Sequence, residues 1–291
     1  MIQMLRRSFV LSALAARRRL RLGFSLYALP AMPVIEALQL CRRIGYDGVE
    51  LCLQAGWTAE PKMLGAQARR MIREELRTQR LELLALMDNL SLVADDSLHR
   101  ENLQRLEAAA ALAHDLSPER HPLIETVLGG KPADWERVRH QMLSRVRDFA
   151  SVAKRTRTEI AIKAHVGGAV NQPDRLVWLL ERVASPWVKV VYDFSHFQLI
   201  GLGLDATLRE LVPHVAFVHL KDSEGDASRF RFLLPGSGSI DYSKYFRLLV
   251  QLGYRGPVVP EVSLQLQRLP GYDGVVAAHT CYRNLANKLE W

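Results

Sequence analysis

Val188-Lys189-Val190-Val191-Tyr192-Asp193-Phe194-Ser195-His196 carries the pattern on which the fold turns. A short apolar run rich in β-branched residues, Val188 to Tyr192, ends in a carboxylate, and a histidine follows three residues later. Such runs are expected of strands buried on both faces, as in a parallel sheet. In parallel α/β proteins the chemistry gathers where strands reach their C-terminal ends. Asp193 and His196 stand at such an end. Taken alone, the pair fits equally well a helix cap with a packing histidine. Other strands that end in the same style favour a site.

Outward from this stretch, strand and helix alternate from Leu20 to the C-terminus. Strands are expected over 20–27, 46–53, 81–87, 123–128, 159–164, 188–192, 215–220 and 258–262. Helices are expected over 34–44, 62–79, 97–114, 134–155, 173–183, 207–212, 243–252 and 273–289, with a long polar loop after Leu220. Eight βα units of this length predict a single (βα)8 TIM barrel, an α/β fold. An open doubly wound sheet would favour a glycine-rich phosphate loop after the first strand, and Gly23-Phe24-Ser25-Leu26-Tyr27 leads into none. No linker, low-complexity tract or internal repeat divides the chain. One barrel domain over 23–291 is expected, preceded by a basic arm over 1–22.

The 291 residues are 48% hydrophobic and 24% charged, an ordinary globular balance. Net charge is +8, but residues 1–22 hold six arginines and no acid. Taking those six from 39 basic residues leaves 33 against 31 acidic ones, so the body is only +2 and shows no polyanion-binding excess. Nucleic acid and membrane are therefore not expected partners. Cys41, Cys52 and Cys281 are scattered and odd in number, giving neither a disulfide framework nor a zinc spacing. Arg6-Arg7-Ser8-Phe9-Val10-Leu11, followed by Ala13-Leu14-Ala15, resembles a twin-arginine export signal with a short core. A cytoplasmic protein with a basic extension is the other expectation, and the favoured one.

Polar residues at the last inward positions of barrel strands face the site: Glu50, Asp88, Lys163 with His165, Asp193 with His196, His219 and Glu261. Asp193, His219 and Glu261 come from three successive strands and suit one divalent cation, Mn, Co, Mg or Zn. Two carboxylates close together inside a barrel otherwise force one to take up a proton. Glu125 lies inside an apolar strand next to that of Lys163; an ion pair with Lys163 and a fourth metal ligand are both open. His99, His114, His121, His140 and His214 are expected on helices or at loop entries, and Trp135, Trp178 and Trp187 in packing.

By these residues the chain resembles the xylose-isomerase-like barrel superfamily, which includes sugar isomerases and epimerases. The likeness runs from Gly23 to about Tyr282. It rests on Gly45-Tyr46-Asp47-Gly48-Val49-Glu50, Asp193-x-x-His196, Phe217-Val218-His219-Leu220-Lys221-Asp222, Pro235-Gly236-Ser237-Gly238-Ser239-Ile240-Asp241, and Gly253-Tyr254-Arg255-Gly256-Pro257 leading to Glu261. The resemblance implies a metal held by a fifth-strand Glu, then Asp, His and Glu. The last three carry over to Asp193, His219 and Glu261, and His196 to a histidine that touches substrate oxygens. The first does not carry over, because Lys163 stands there. The endonuclease branch would need extra histidines on early strands, where Glu50 and Asp88 stand instead.

Lys163 then has three possible roles. It is a catalytic acid/base with its pKa lowered toward neutrality, a Schiff-base former, or an ammonium replacing the metal in a noncatalytic binding barrel. The expected activity is metal-assisted isomerisation or epimerisation next to the carbonyl of a sugar, with Lys163 and Glu261 as catalytic residues. A keto-sugar lyase or dehydratase is the alternative. His165, His196, Glu50, Lys221 and Arg231 are expected to touch the substrate. A homo-oligomer is compatible with the resemblance.

Overall fold

A computed structural model describes residues 20–289. The strands of the barrel are β1 (Arg21–Ser25), β2 (Gly48–Cys52), β3 (Glu82–Met87), β4 (Leu123–Val127), β5 (Ile160–Lys163), β6 (Val188–Asp193) and β7 (Val215–Leu220). A two-stranded antiparallel hairpin follows, β8 (Asp222–Gly225) and β9 (Phe230–Leu233), before the last barrel strand, β10 (Pro257–Pro260). The closed order is β1-β10-β7-β6-β5-β4-β3-β2, with every barrel pair parallel. The expected TIM barrel is therefore the fold.

Around the barrel run α1 (Val34–Ile44), α2 (Ala66–Gln79), α3 (Asp96–Leu116), α4 (Trp135–Thr156), α5 (Pro173–Val183), α6 (Phe194–Gln198), α7 (Leu204–Leu211), α8 (Tyr242–Gln251), α9 (Leu264–Gln267) and α10 (Gly274–Leu285). The bounds of α1, α5 and β7 match expectation. In α5, Pro173 opens the first turn, where its missing N–H costs nothing. Among the described residues no helix is long and apolar enough to cross a membrane. The stretch around Arg6-Arg7 lies outside the described residues.

Three differences matter. First, β1 begins at Arg21, so Arg21 and Leu22 belong to the barrel and not to the basic arm. Arg21 pairs with Glu82 of β3. Second, the expected polar loop after Leu220 contains the β8–β9 hairpin. Its charges hide the alternation Phe230-x-Phe232, and its turn is built locally: Asp226 Oδ1 accepts from Ser228 N (2.8 Å) and Arg229 N (3.1 Å). Gly225 at φ +94° is required there, since a Cβ would stand 2.1 Å from the Arg229 carbonyl oxygen. Third, the short α6 and α9 were not expected. Asp193 caps α6 while it still faces the barrel, its Oδ1 accepting from Ser195 N at 3.2 Å.

The barrel floor is a separate apolar cluster of Leu84, Ala85, Leu123, Ala161, Val191, Phe217 and Val259. Gly23 and Gly48, paired across β1 and β2, make room for Leu84: Cβ atoms there would lie 2.3 and 2.8 Å from its side chain. This floor closes the barrel beneath everything that follows.

Candidate functional site

Two residues above five of the seven floor residues stands a polar one: Glu125 above Leu123, Lys163 above Ala161, Asp193 above Val191, His219 above Phe217 and Glu261 above Val259. Residues i and i+2 of a strand share a face, so one strand period turns a sealed floor into a polar ring. β10 ends at Pro260, but Glu261 N donates to Leu220 O at 3.1 Å, which holds Glu261 in the ladder. Glu50 joins the ring from β2, two residues above Gly48.

The ring is tightly knit. Lys163 Nζ lies 2.6 Å from Glu261 Oε2 and 2.9 Å from His219 Nδ1. His219 Nδ1 is itself 3.0 Å from Glu261 Oε2, and its Nε2 is 3.0 Å from Glu50 Oε2. Lys221 Nζ bridges Glu261 Oε2 and Asp193 Oδ2 at 3.1 Å from each. Three nitrogens thus converge on one carboxylate oxygen of Glu261. Lys163, Lys221 and Glu261 keep 4, 3 and 7% exposure, whereas Glu50, Glu125 and His219 keep none. Within the ring, the ammonium–carboxylate layer is thus the part that keeps some exposure.

Electrostatics follows from this crowding. Burial alone would drive Lys163 toward its neutral form, but Glu261, Glu125 and Asp193 overcome it and hold the ammonium above its ordinary range. That is opposite to the expected shift toward neutrality. Burial opposes ionisation of Glu261 too, yet Lys163, Lys221 and His219 hold it well below the usual carboxylate range. For His219, burial and Lys163 disfavour charge, while Glu50 and Glu261 raise it to about 9. With both ring nitrogens protonated, the short approach of Lys163 Nζ to Nδ1 is two donors sharing the Glu261 oxygen, not a hydrogen bond between them. Glu125 is different: both its oxygens are buried without a hydrogen-bond partner, and burial raises it to about 7 despite Lys163. No direct Glu125–Lys163 bond forms.

His165 and His196 pack against each other beside the ring, with centroids 4.3 Å apart and planes tilted by 46°. Gly167 N donates to His165 Nδ1 at 3.1 Å, which leaves the ring proton on Nε2. Burial and the neighbouring His196, Lys221 and Lys163 lower His165 to about 2, so it is a neutral donor. His196 Nδ1 accepts from Val166 N at 3.3 Å and its Nε2 lies 3.4 Å from Asp193 Oδ2. Opposite stands an apolar wall of Tyr27, Cys52, Met87 and Trp57, with Tyr27 and Trp57 stacked at 5.1 Å. The sequence reading missed Tyr27 and Trp57. The first sits just past a strand end and could have been found from that; the second lies in a loop with no periodic signal.

Not every expected residue converges. Arg231 lies exposed on the hairpin, paired with Glu224. Asp88 turns to a side cavity of about 290 Å³ shared with Glu60, Lys62 and Arg105, and pairs with Arg105. Glu50 contacts the His219 imidazole from beneath, where it orients that ring.

Two triads among the described residues have donor atoms within 4.8 Å of one another, Asp193–His219–Glu261 and Glu50–Glu125–His219. These groups could hold a metal by type and spacing. As arranged, the first triad does not fit one. Zinc-type ligand bonds are about 2.0–2.2 Å, and the donor atoms are already touched by ammonium nitrogens at 2.6–3.1 Å. The expected divalent ion therefore finds its donors present but engaged.

Comparison with known proteins adds four findings. A family model described as xylose isomerase-like TIM barrel matches residues 38–284. L-ribulose-5-phosphate 3-epimerase UlaE of Escherichia coli (strain SMS-3-5 / SECEC) is 22% identical over 259 residues, covering 84% of this chain and 88% of that protein. Among solved structures, the IOLI protein with a binding zinc atom superposes with TM-score 0.77 at 18% identity, over 92% of this chain and 98% of that one. The apo 3-keto-D-glucoside 4-epimerase YcjR of E. coli superposes with TM-score 0.72 at 17% identity, over 92% and 100%.

Proposed function

This chain belongs to the xylose isomerase-like TIM barrel family, and we propose that it moves a proton next to the carbonyl of a sugar, as an epimerase or isomerase. The observation that carries this is the Lys163 Nζ–Glu261 Oε2 contact of 2.6 Å in the reachable layer of the mouth. It places a cationic donor and a carboxylate base within one substrate's span. The epimerase names of the relatives agree with it.

A substrate carbonyl oxygen entering beside Lys163 and Lys221 would draw their N–H groups away from Glu261. The two ammoniums then stabilise the negative charge that develops on that oxygen as the enediolate forms. Glu261 loses two of the donors that hold its pKa down, becomes a stronger base and takes the proton from the adjacent carbon. Delivery of a proton to the opposite face of that carbon, by a donor other than Glu261, inverts it, whereas return to the same face restores the substrate. Return to the former carbonyl carbon isomerises the sugar. His165 offers its neutral Nε2–H to a substrate hydroxyl, and His196 backs it with a tilted ring 4.3 Å away.

Relatives' names mention zinc, but this scheme passes through no metal, because Lys163 and Lys221 engage the donors one would need. A Schiff base at Lys163 is disfavoured by its ion pairs, which keep the nitrogen protonated. Elimination shares the same first step and differs only in a leaving group on the β carbon.

The test is proton exchange. Aldoses and ketoses, free and phosphorylated, incubated in D2O should gain deuterium beside the carbonyl with the native chain and not with Glu261→Gln. A panel with no exchange by NMR, despite saturable binding of a sugar, would mean a noncatalytic binding barrel.

A further inference from the structure

We propose that the Lys163 ammonium is the built-in cation of the Asp193–His219–Glu261 triad, that the native chain holds no divalent ion there, and that this one side chain separates the triad from a divalent-metal site. The geometry is specific. The donor atoms of Asp193, His219 and Glu261 come within 4.8 Å of one another, the spacing of ligands around one ion. Lys163 Nζ touches two of them, at 2.6 and 2.9 Å, and Lys221 Nζ caps Asp193 Oδ2 and Glu261 Oε2 at 3.1 Å. Each donor therefore already has a positive neighbour.

Lys163 has nowhere equivalent to go. It is 4% exposed, rises from the β5 position paired with Val127 and Val191, and is walled by β4 and β6. Withdrawing it would leave Glu261 buried with one ammonium fewer, and an uncompensated buried charge is strongly disfavoured. A divalent ion must then displace the lysine against that cost and against like-charge repulsion. Glutamate at the same place is one atom shorter, so its carboxylate would retreat by about 1.5 Å. It would also replace a positive group with a fourth ligand, a carboxylate oxygen. Asp, His and two Glu form a donor set suited to zinc or manganese.

The inference is independent of the activity proposed above, since its readout is metal content. Native chain, Lys163→Glu and Lys163→Gln are dialysed against MnCl2 or ZnCl2, freed of loose ion and analysed for metal, with thermal midpoints taken with and without EDTA. The native chain should hold a substoichiometric amount and melt at one temperature throughout. Lys163→Glu should take up one equivalent and lose its added stability to EDTA. Should Lys163→Glu fail to fold, Lys163→Gln decides: Mn²⁺ or Zn²⁺ must raise its midpoint and leave the native one unmoved. One tightly held equivalent in the native chain, or no gain in the variant that folds, overturns the proposal.

Discussion

Lys163 Nζ and Glu261 Oε2 stand 2.6 Å apart, from strands on opposite sides of the β6–β7 pair, and both are nearly buried. Breaking such a pair from one side leaves the remaining charge uncompensated, at a cost of about 3–5 kcal/mol. Lys163→Met leaves Lys221 and His219 on Glu261, so it should lower stability by up to about that amount in urea unfolding at pH 7. The double variant Lys163→Met/Glu261→Gln should recover at least about 1 kcal/mol of it, because both charges go together. Strict additivity of the two single changes would show that the pair is not coupled in the native state.

Glu125 gives the chain a pH slope of defined sign. Its folded pKa is raised from 4.5 to about 7, so between those values the native state holds more protons than the unfolded chain. Stability therefore falls as pH rises through that window, by about 3 kcal/mol for a shift of this size. Glu125→Gln should flatten the slope and leave the variant about 1–3 kcal/mol more stable than the native chain at pH 8. Chemical denaturation at pH 5, 6, 7 and 8 measures it. Parallel curves for the two proteins would place the slope elsewhere.

The barrel was legible in the sequence because its strands are short apolar runs with a polar residue at the end, and the floor-to-ring step at 191 and 193 repeats at 217 and 219 and at 259 and 261. Asp193, His219 and Glu261 were found by that repetition. What could not be seen was how the charges would pair. Sequence spacing shows which residues face inward but not that Lys221 would turn in to bridge Asp193 and Glu261, while Arg231, on β9, turns out to Glu224. The sign of the Lys163 shift depends on how the charges pair, since Glu261, Glu125 and Asp193 together oppose burial.

His219 should titrate unusually high because Glu50 and Glu261 hold its two nitrogens. It is raised from 6.5 to about 9, so its contribution to stability is complete below 6.5 and is lost as pH rises through 9. Glu50→Gln removes one of the two carboxylates without touching the mouth. The His219 pKa should then drop by at least about one unit, followed through its ring nitrogens by 15N NMR. An unmoved titration would mean that Glu50 does not act on the imidazole.

The wall opposite the histidines makes a different kind of claim. Tyr27 and Trp57 stack at 5.1 Å with 21° between their planes, and Tyr27 feels the charges of Glu261 and Lys163. A flat aromatic surface favours the C–H face of a sugar ring and leaves the hydroxyls to polar groups on the other side. Such contact is present in ground and transition states alike, so losing it removes uniform binding. Trp57→Ala should raise KM about tenfold, or roughly 1.4 kcal/mol, and leave kcat within about twofold. Lys163→Met should show the reverse split, with kcat falling far more than KM rises, because its ammonium acts on charge that develops only as the proton leaves. Steady-state kinetics on whichever sugar exchanges deuterium will separate the two. A Trp57→Ala variant that loses kcat at constant KM would remove the platform from substrate binding and make Trp57 part of what orders the catalytic ring.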